Sequence, residues 1–418
     1  MGPGIVSGAA DNDPAGVVTY IQVGATTGTG LLWLMLLSTP MLYYLEEMST
    51  RLGIVTKRGI CRNLRVHYSH AAAVAIIIPV VLSNVITTGA DLSGASAALQ
   101  LLTGIAWEWW TIPLAALTAS TLVFASYRTI SRFLLLLTPL FVLYIITGFI
   151  VHPQWNTVLR ATFVPSMAFT PTFLTAALGL LGATLTPYMF FWQATGEVEA
   201  RRKVGDLPVE HIDVAAGMVY ANLVFYFIIL VAAVVFYGKG VGVQTVRDAA
   251  LSLRPLAGRD AALLFGLGVL VSGFLSVPVM TACTAYSLAE CFGWAGGPDN
   301  TIWQARGFHV LIAAALGAGA AIGLLRIPPV TLMYWSQIIN GFLLAPLFFT
   351  LVRLGNDRRM LGKHTNGVLS NVVGGRGALD ARARNPDAPA ARREPLNRPP
   401  STISPYAAHD RCTTPPYD

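Results

Sequence analysis

Two short runs of this 418-residue chain combine groups that can hold a cation with a residue that breaks a helix. The first reads Asp11-Asn12-Asp13-Pro14-Ala15-Gly16 and the second Gly182-Ala183-Thr184-Leu185-Thr186-Pro187. A proline lacks the backbone N–H and crowds the turn before it, so a helix running through either stretch is expected to open there. The carbonyl of Ala183, one turn ahead of Pro187, is then a natural candidate ligand. Asp13 adds a hard anionic oxygen and Thr186 a neutral hydroxyl. Oxygen-only ligands favour hard cations such as Mg²⁺, Ca²⁺ or Mn²⁺. No His or Cys lies at either run, and Met189 falls beyond Pro187, which argues against a soft-metal site.

The elements that must position these groups are membrane helices. The chain is 54% hydrophobic and 12% charged, with a mean hydropathy of +0.59, whereas soluble domains carry about 25% charged residues. Ten apolar segments can be drawn, at approximately 4–27, 30–48, 71–99, 108–126, 132–151, 171–195, 212–237, 260–288, 304–325 and 330–352. A bilayer-crossing helix needs about 20 residues, so an all-α polytopic membrane protein is expected. The breaks fall in the first and sixth segments, the first of each half of five. That placement is the mark of a transporter with two five-helix inverted repeats and a site at the bilayer midplane, built where unwound backbone lines a cavity. Proline kinks in ordinary helices are the alternative reading. Asp13 favours the site, because a carboxylate in the bilayer costs about 2.5–3.5 kcal/mol on insertion scales.

The same cost marks Asp91 in the third segment as functional or hydrogen-bonded. Asp11 either adds negative potential near Asp13 or caps the helix end, and Gln337 and Asn340 either reach the ion or its waters or join helices as hydrogen-bonding glue. Glu197 and Glu199, next to Arg201, Arg202 and Lys203, read as a solvated cytoplasmic charge cluster, with attraction of cations at the inner mouth as the alternative. Trp107, Trp109 and Trp110 read as an interfacial anchor. Apolar residues at helical spacing over Val243 to Leu256 predict an external amphipathic helix. Basic residues concentrate in the loops after segments 2, 4, 6 and 10, so the positive-inside rule puts both termini in the cytoplasm. The net charge of +7 is therefore a topology signal and not a nucleic-acid footprint. The four cysteines show no metal-binding or disulfide spacing, and no Ser/His, paired-Asp or His-Glu-x-x-His arrangement within the spans supports an enzyme. The chain divides into a transmembrane domain, 1–355, and a Pro/Arg-rich tail, 356–418, expected to be disordered and cytoplasmic.

Gly2-Pro3-Gly4, Asp13-Pro14, Glu47-Met48-Ser49-Thr50-Arg51-Leu52-Gly53, Gly182-Ala183-Thr184 and Ser336-Gln337 resemble the corresponding stretches of Nramp divalent-metal transporters, over roughly residues 2 to 371. The resemblance implies a leucine-transporter-like fold in an inner membrane, alternating access, and divalent metal ions as cargo, with no cofactor; protein partners are not implied. The family's Asp-Pro-Gly-Asn appears here as Asp13-Pro14-Ala15-Gly16, so Gly16 stands where an asparagine ligand is expected. Its Ala-x-x-Met-Pro-His appears as Ala183-Thr184-Leu185-Thr186-Pro187-Tyr188, with Thr186 for the soft methionine and Tyr188 for the histidine tied to proton movement. Its Asp-x-x-Glu proton route retains only Asp91. These departures resemble the Nramp-related magnesium transporter branch, which implies transport of Mg²⁺ and also Mn²⁺ without proton coupling. A proton-coupled Mn²⁺/Fe²⁺ importer is the alternative, requiring Tyr188 and Asp91 to replace the missing proton groups. Family likeness also leads one to expect a start upstream of Met1 and an eleventh helix after Leu361–Gly367, lost by frameshift or truncation.

Overall fold

The computed structural model describes residues 8, 11–124, 141–240, 242–294 and 305–373, and every regular element among them is helical. In chain order the long elements are α1 (Pro14–Thr27), α2 (Leu32–Thr56), α3 (Ile60–His67), α4 (His70–Thr103), α5 (Glu108–Phe124), α6 (Val142–Ile150), α7 (Trp155–Phe163), α8 (Pro171–Thr184), α9 (Pro187–Glu199) and α10 (Leu207–Phe236). Then come α11 (Val246–Ala250), α12 (Arg254–Ala257), α13 (Ala261–Phe292), α14 (Arg306–Gly323), α15 (Pro329–Gly355), α16 (Arg358–Leu361) and α17 (Val368–Val373). Six helical stretches among the described residues are long and apolar enough to cross a membrane. The described helices fit the expected order of segments. The lead-in to the first break, apart from Gly8, and residues 125–140 of the fourth and fifth segments lie outside the described residues.

Helix ends follow local chemistry. Ser69 caps α4, its hydroxyl accepting from the Ala72 N–H at 3.0 Å, and Thr170 caps α8 ahead of Pro171. Such caps satisfy N–H groups that the first helical turn leaves without partners. The expected external amphipathic helix resolves into α11, a 3₁₀ turn at Leu251–Leu253, and α12. Val243, Val246, Ala249, Ala250 and Leu253 are its buried face.

The packing is reciprocal between the halves. α1, which follows the first break, packs on α10, the helix after the second broken segment. α9, which follows the second break, packs on α2, the helix after the first. The third helices of the two halves, α4 and α13, pack on each other. This exchange is the inverted-repeat architecture expected from the positions of the breaks. Among the described residues, two large apolar clusters and a smaller one around Leu92, Leu114 and Leu316 fill the bundle, the two large ones on either side of the second break. Ala183 belongs to one of these two and Leu185 to the other.

Beyond the expected boundary at 356, α16 and α17 pack against α2. Asn366 N–H donates to the Gly355 carbonyl at 2.8 Å and Arg51 Nη1 to the Thr365 carbonyl at 3.1 Å. The rest of the expected tail, 374–418, lies outside the described residues.

Candidate functional site

The site is built from what the two prolines leave open. α8 ends at Thr184 and α9 begins at Pro187, so the sixth segment is interrupted at Leu185 and Thr186. Pro187 has no N–H to give the Ala183 carbonyl, its partner four residues back in an unbroken helix. The Thr186 hydroxyl donates to that carbonyl instead, at 2.9 Å. In the first segment the helix restarts at Pro14, a position where the missing N–H does no harm. Asp13 is its N-cap, and Asp13 Oδ1 accepts from the Gly16 N–H at 2.5 Å.

The breaks face one another. Thr186 Oγ1 approaches Asp11 Oδ1 at 3.4 Å, joining the opening of one segment to that of the other. Tyr20 of α1 and Thr184 of α8 share a hydrogen bond at 3.1 Å between their hydroxyls, and the Tyr20 ring stacks on Phe225 at 4.4 Å between centroids. Asp11, Asp13, Ala183, Thr186 and Tyr188 are all buried. Tyr188 follows Pro187 at the start of α9, and its backbone carbonyl accepts from Cys283 Sγ at 3.2 Å.

Asp91 is a clamp on the first break. Its Oδ1 accepts from the Ala15 N–H at 3.0 Å and its Oδ2 from Ser276 Oγ at 2.8 Å. Two carboxylates therefore hold the first turn of α1, Asp13 from within it and Asp91 from α4. On the other side of the opening, Ser272 Oγ donates to the Asn12 carbonyl. The described ion pairs are Arg51–Glu47 at 3.1 Å, Arg202–Glu210 at 2.9 Å and His211–Glu47 at 3.1 Å, so among the described residues no basic side chain pairs with Asp11, Asp13 or Asp91. Buried negative charge without a cationic partner is costly unless something neutralises it, and a bound cation would do so.

The remaining candidates divide. Gly16 has no side-chain donor, and its N–H is engaged by Asp13; a Cβ there would stand 2.5 Å from Asp13 Oδ1. Gln337 lies beside the second break, since a Cβ on Gly182 would run into the Gln337 carbonyl. Its Oε1 accepts from Asn340 Nδ2 at 2.9 Å, and its Nε2 is buried with no hydrogen-bond partner. Asn340 in turn accepts from Ser83 of α4, so it joins α15 to α4 as interhelical glue. Glu197 corrects an expectation: it is buried, not solvated, and its Oε1 accepts from Gln193 Nε2 at 2.9 Å, one turn back on the same helix. Glu46 of α2 was not singled out from sequence, yet it too is fully buried. The signal was available, a carboxylate inside an apolar segment.

Comparison with known proteins agrees with this architecture. The pattern for Nramp, "Natural resistance-associated macrophage protein-like", matches residues 4–379. A protein of Deinococcus radiodurans named divalent metal cation transporter MntH is 30% identical over 357 residues, covering 82% of this chain and 78% of that protein. The MntH of Ralstonia nicotianae is 29% identical over 393 residues, covering 89% and 86%. Among solved structures, a mutant of the Eremococcus coleocola manganese transporter superposes with a TM-score of 0.73 at 19% identity, covering 89% of this chain and 82% of that one. Mhp1, a nucleobase-cation-symport-1 family transporter, superposes with a TM-score of 0.57 at 18% identity, covering 86% and 77%. At those identities the structural likeness speaks for the fold.

Proposed function

Because the chain belongs to the Nramp-like family, whose pattern spans residues 4–379, we propose that it carries divalent metal cations across a membrane by alternating access, as a transporter and not an enzyme. The ion sits between the two breaks, with the Asp13 carboxylate, the Ala183 carbonyl and the Thr186 hydroxyl as its ligands; Gly16 leaves room beside Asp13. Asp11 adds negative potential from the next position out, and Tyr188 and Gln337 are the candidates to hold the ion's waters. Asp91 fixes the geometry of the first break. The observation that carries this reading is the approach of Thr186 Oγ1 to Asp11 Oδ1 at 3.4 Å, which joins two opened segments around buried, unpaired carboxylates.

The donor set supports a hard ion, Mg²⁺ and also Mn²⁺, placing the chain with the Nramp-related magnesium transporters. Every proposed ligand atom is oxygen, and Mg²⁺, which dehydrates reluctantly, suits a site with few protein ligands and room for water. Tyr188, standing where a titratable imidazole is expected, and Asp91, engaged at both oxygens, support transport without proton coupling. A second reading, a proton-coupled importer of Mn²⁺, is favoured by the relatives, which carry the names divalent metal cation transporter and manganese transporter. Basic loops support an inner-membrane orientation with both termini cytoplasmic. Uptake of Mg²⁺ and Mn²⁺ into liposomes holding the purified protein tests the cargo. Uptake abolished by Asp13→Ala is expected; a mutant that transports both ions like the wild type would remove Asp13 from the site.

A further inference from the structure

A second set of buried carboxylates runs along the seam between α2 and α9, away from the two breaks. Glu46 lies on α2, one turn before Thr50. Its side chain is fully buried, and neither carboxylate oxygen has a hydrogen-bond partner. On α2, Glu46 lies between Met35, whose sulfur is 3.9 Å from Thr184 Oγ1 beside the second break, and Thr50, which accepts from Gln193 further along α9. It therefore stands between the central site and the far end of α9. The seam itself is tight. Gln193 Nε2 donates to Thr50 Oγ1 at 2.8 Å and to Glu197 Oε1 at 2.9 Å, which orients Glu197 and leaves its Oε2 without a partner. Among the described residues, neither Glu46 nor Glu197 forms an ion pair. Arg51 pairs with Glu47 and reaches the Thr365 carbonyl, and Arg202 pairs with Glu210.

An unpartnered carboxylate this deeply buried is expensive in any protein and more so in a membrane, so it is retained where something passes or binds. We propose that Glu46 is a second cation station, which takes the same hard divalent ion as it moves between the central site and the end of α9, with Glu197 as the next step. The proposal rests on the transport reading above. One carboxylate with water completing the shell binds a hard divalent ion more weakly than the central set, as a station on a path requires.

The test is equilibrium Mn²⁺ binding to the purified protein, together with Mn²⁺ flux in liposomes, for the wild type, Glu46→Gln, Glu46→Asp and Asp13→Ala. Two ions are expected on the wild type, one tight and one weaker. Glu46→Gln should lose the weaker ion, hold the tight one within about threefold, and transport about tenfold more slowly at unchanged KM. Glu46→Asp, which keeps the charge, should restore part of both, and Asp13→Ala should lose the tight ion. A single ion on the wild type with wild-type flux in Glu46→Gln would overturn the station and leave the central site standing. No ion bound to the wild type at all would overturn the transport reading, and the station with it.

Discussion

Asp13 does two jobs that compete for one carboxylate. It caps α1 through Oδ1, and it is the proposed anionic ligand of the ion. Gly16 makes the two compatible, because its N–H reaches Asp13 without a side chain in the way. Gly16→Ala would put a Cβ 2.5 Å from Asp13 Oδ1 and force the carboxylate to turn. Overpacking of this kind costs about 1–3 kcal/mol, and the expected result is a lower thermal midpoint in detergent with Mn²⁺ affinity weakened about tenfold by calorimetry. Thr186 is the corresponding choice at the second break, offering only oxygen. Thr186→Met introduces a thioether, which soft metals prefer, so Cd²⁺ should gain on Mg²⁺ in competitive uptake. An unchanged ratio would mean that position 186 does not face the ion. Asp13 was legible in the sequence because a carboxylate inside an apolar run is conspicuous. Glu46 carried the same signal but sits beside Glu47, in a stretch noticed for its family likeness. The basic chain neighbours of Glu197 suggest solvation, whereas Gln193, one turn back on the buried face, is the group that holds it.

At the scale of elements, the breaks depend on neighbours that hold opened backbone in place. The prolines made both openings legible, and the helix boundaries follow from Pro14 and Pro187 at first positions. The clamp was not legible, because Ser276 and Ala15 are far apart in sequence and ordinary in type; only the fold brings them onto the two oxygens of Asp91. Asp91→Asn would present an amide N–H₂ to one of those two donors. Leaving a buried donor without an acceptor costs about 1–3 kcal/mol, so the variant should unfold at lower temperature. If Asp91 were instead a proton carrier, the same change would leave stability intact and alter only a pH response. The contact between α8 and α15 is equally strict. A Cβ at Gly182 would overlap the Gln337 carbonyl, so Gly182→Ala should separate the two helices and lower both thermal stability and uptake. Wild-type stability in that variant would show that the helices pack less closely than described.

For the whole molecule, the inverted-repeat architecture was readable from two proline breaks spaced half a domain apart, without any repeat in residue identity. Hydropathy found the long helices because each is a continuous apolar run. It placed the end of the second segment near 48, whereas α2 continues to Thr56. The extension carries Thr50, Arg51 and Gly53, polar and small residues that are buried between helices and invisible to a hydropathy scale. Composition alone sets the boundary at 356, and the segment between α16 and α17 beyond it is held by Arg51 and by the Gly355 carbonyl, contacts made across more than 300 residues in the first case. The central claim concerns what this fold carries. Liposomes containing the protein, loaded with a pH dye and given Mg²⁺ or Mn²⁺ outside, report ion entry and proton movement together. The account predicts entry of both ions, lost in Asp13→Ala, with no change in internal pH. Entry of Mn²⁺ with acidification and no flux of Mg²⁺ would contradict it, and would make this chain a proton-coupled manganese importer.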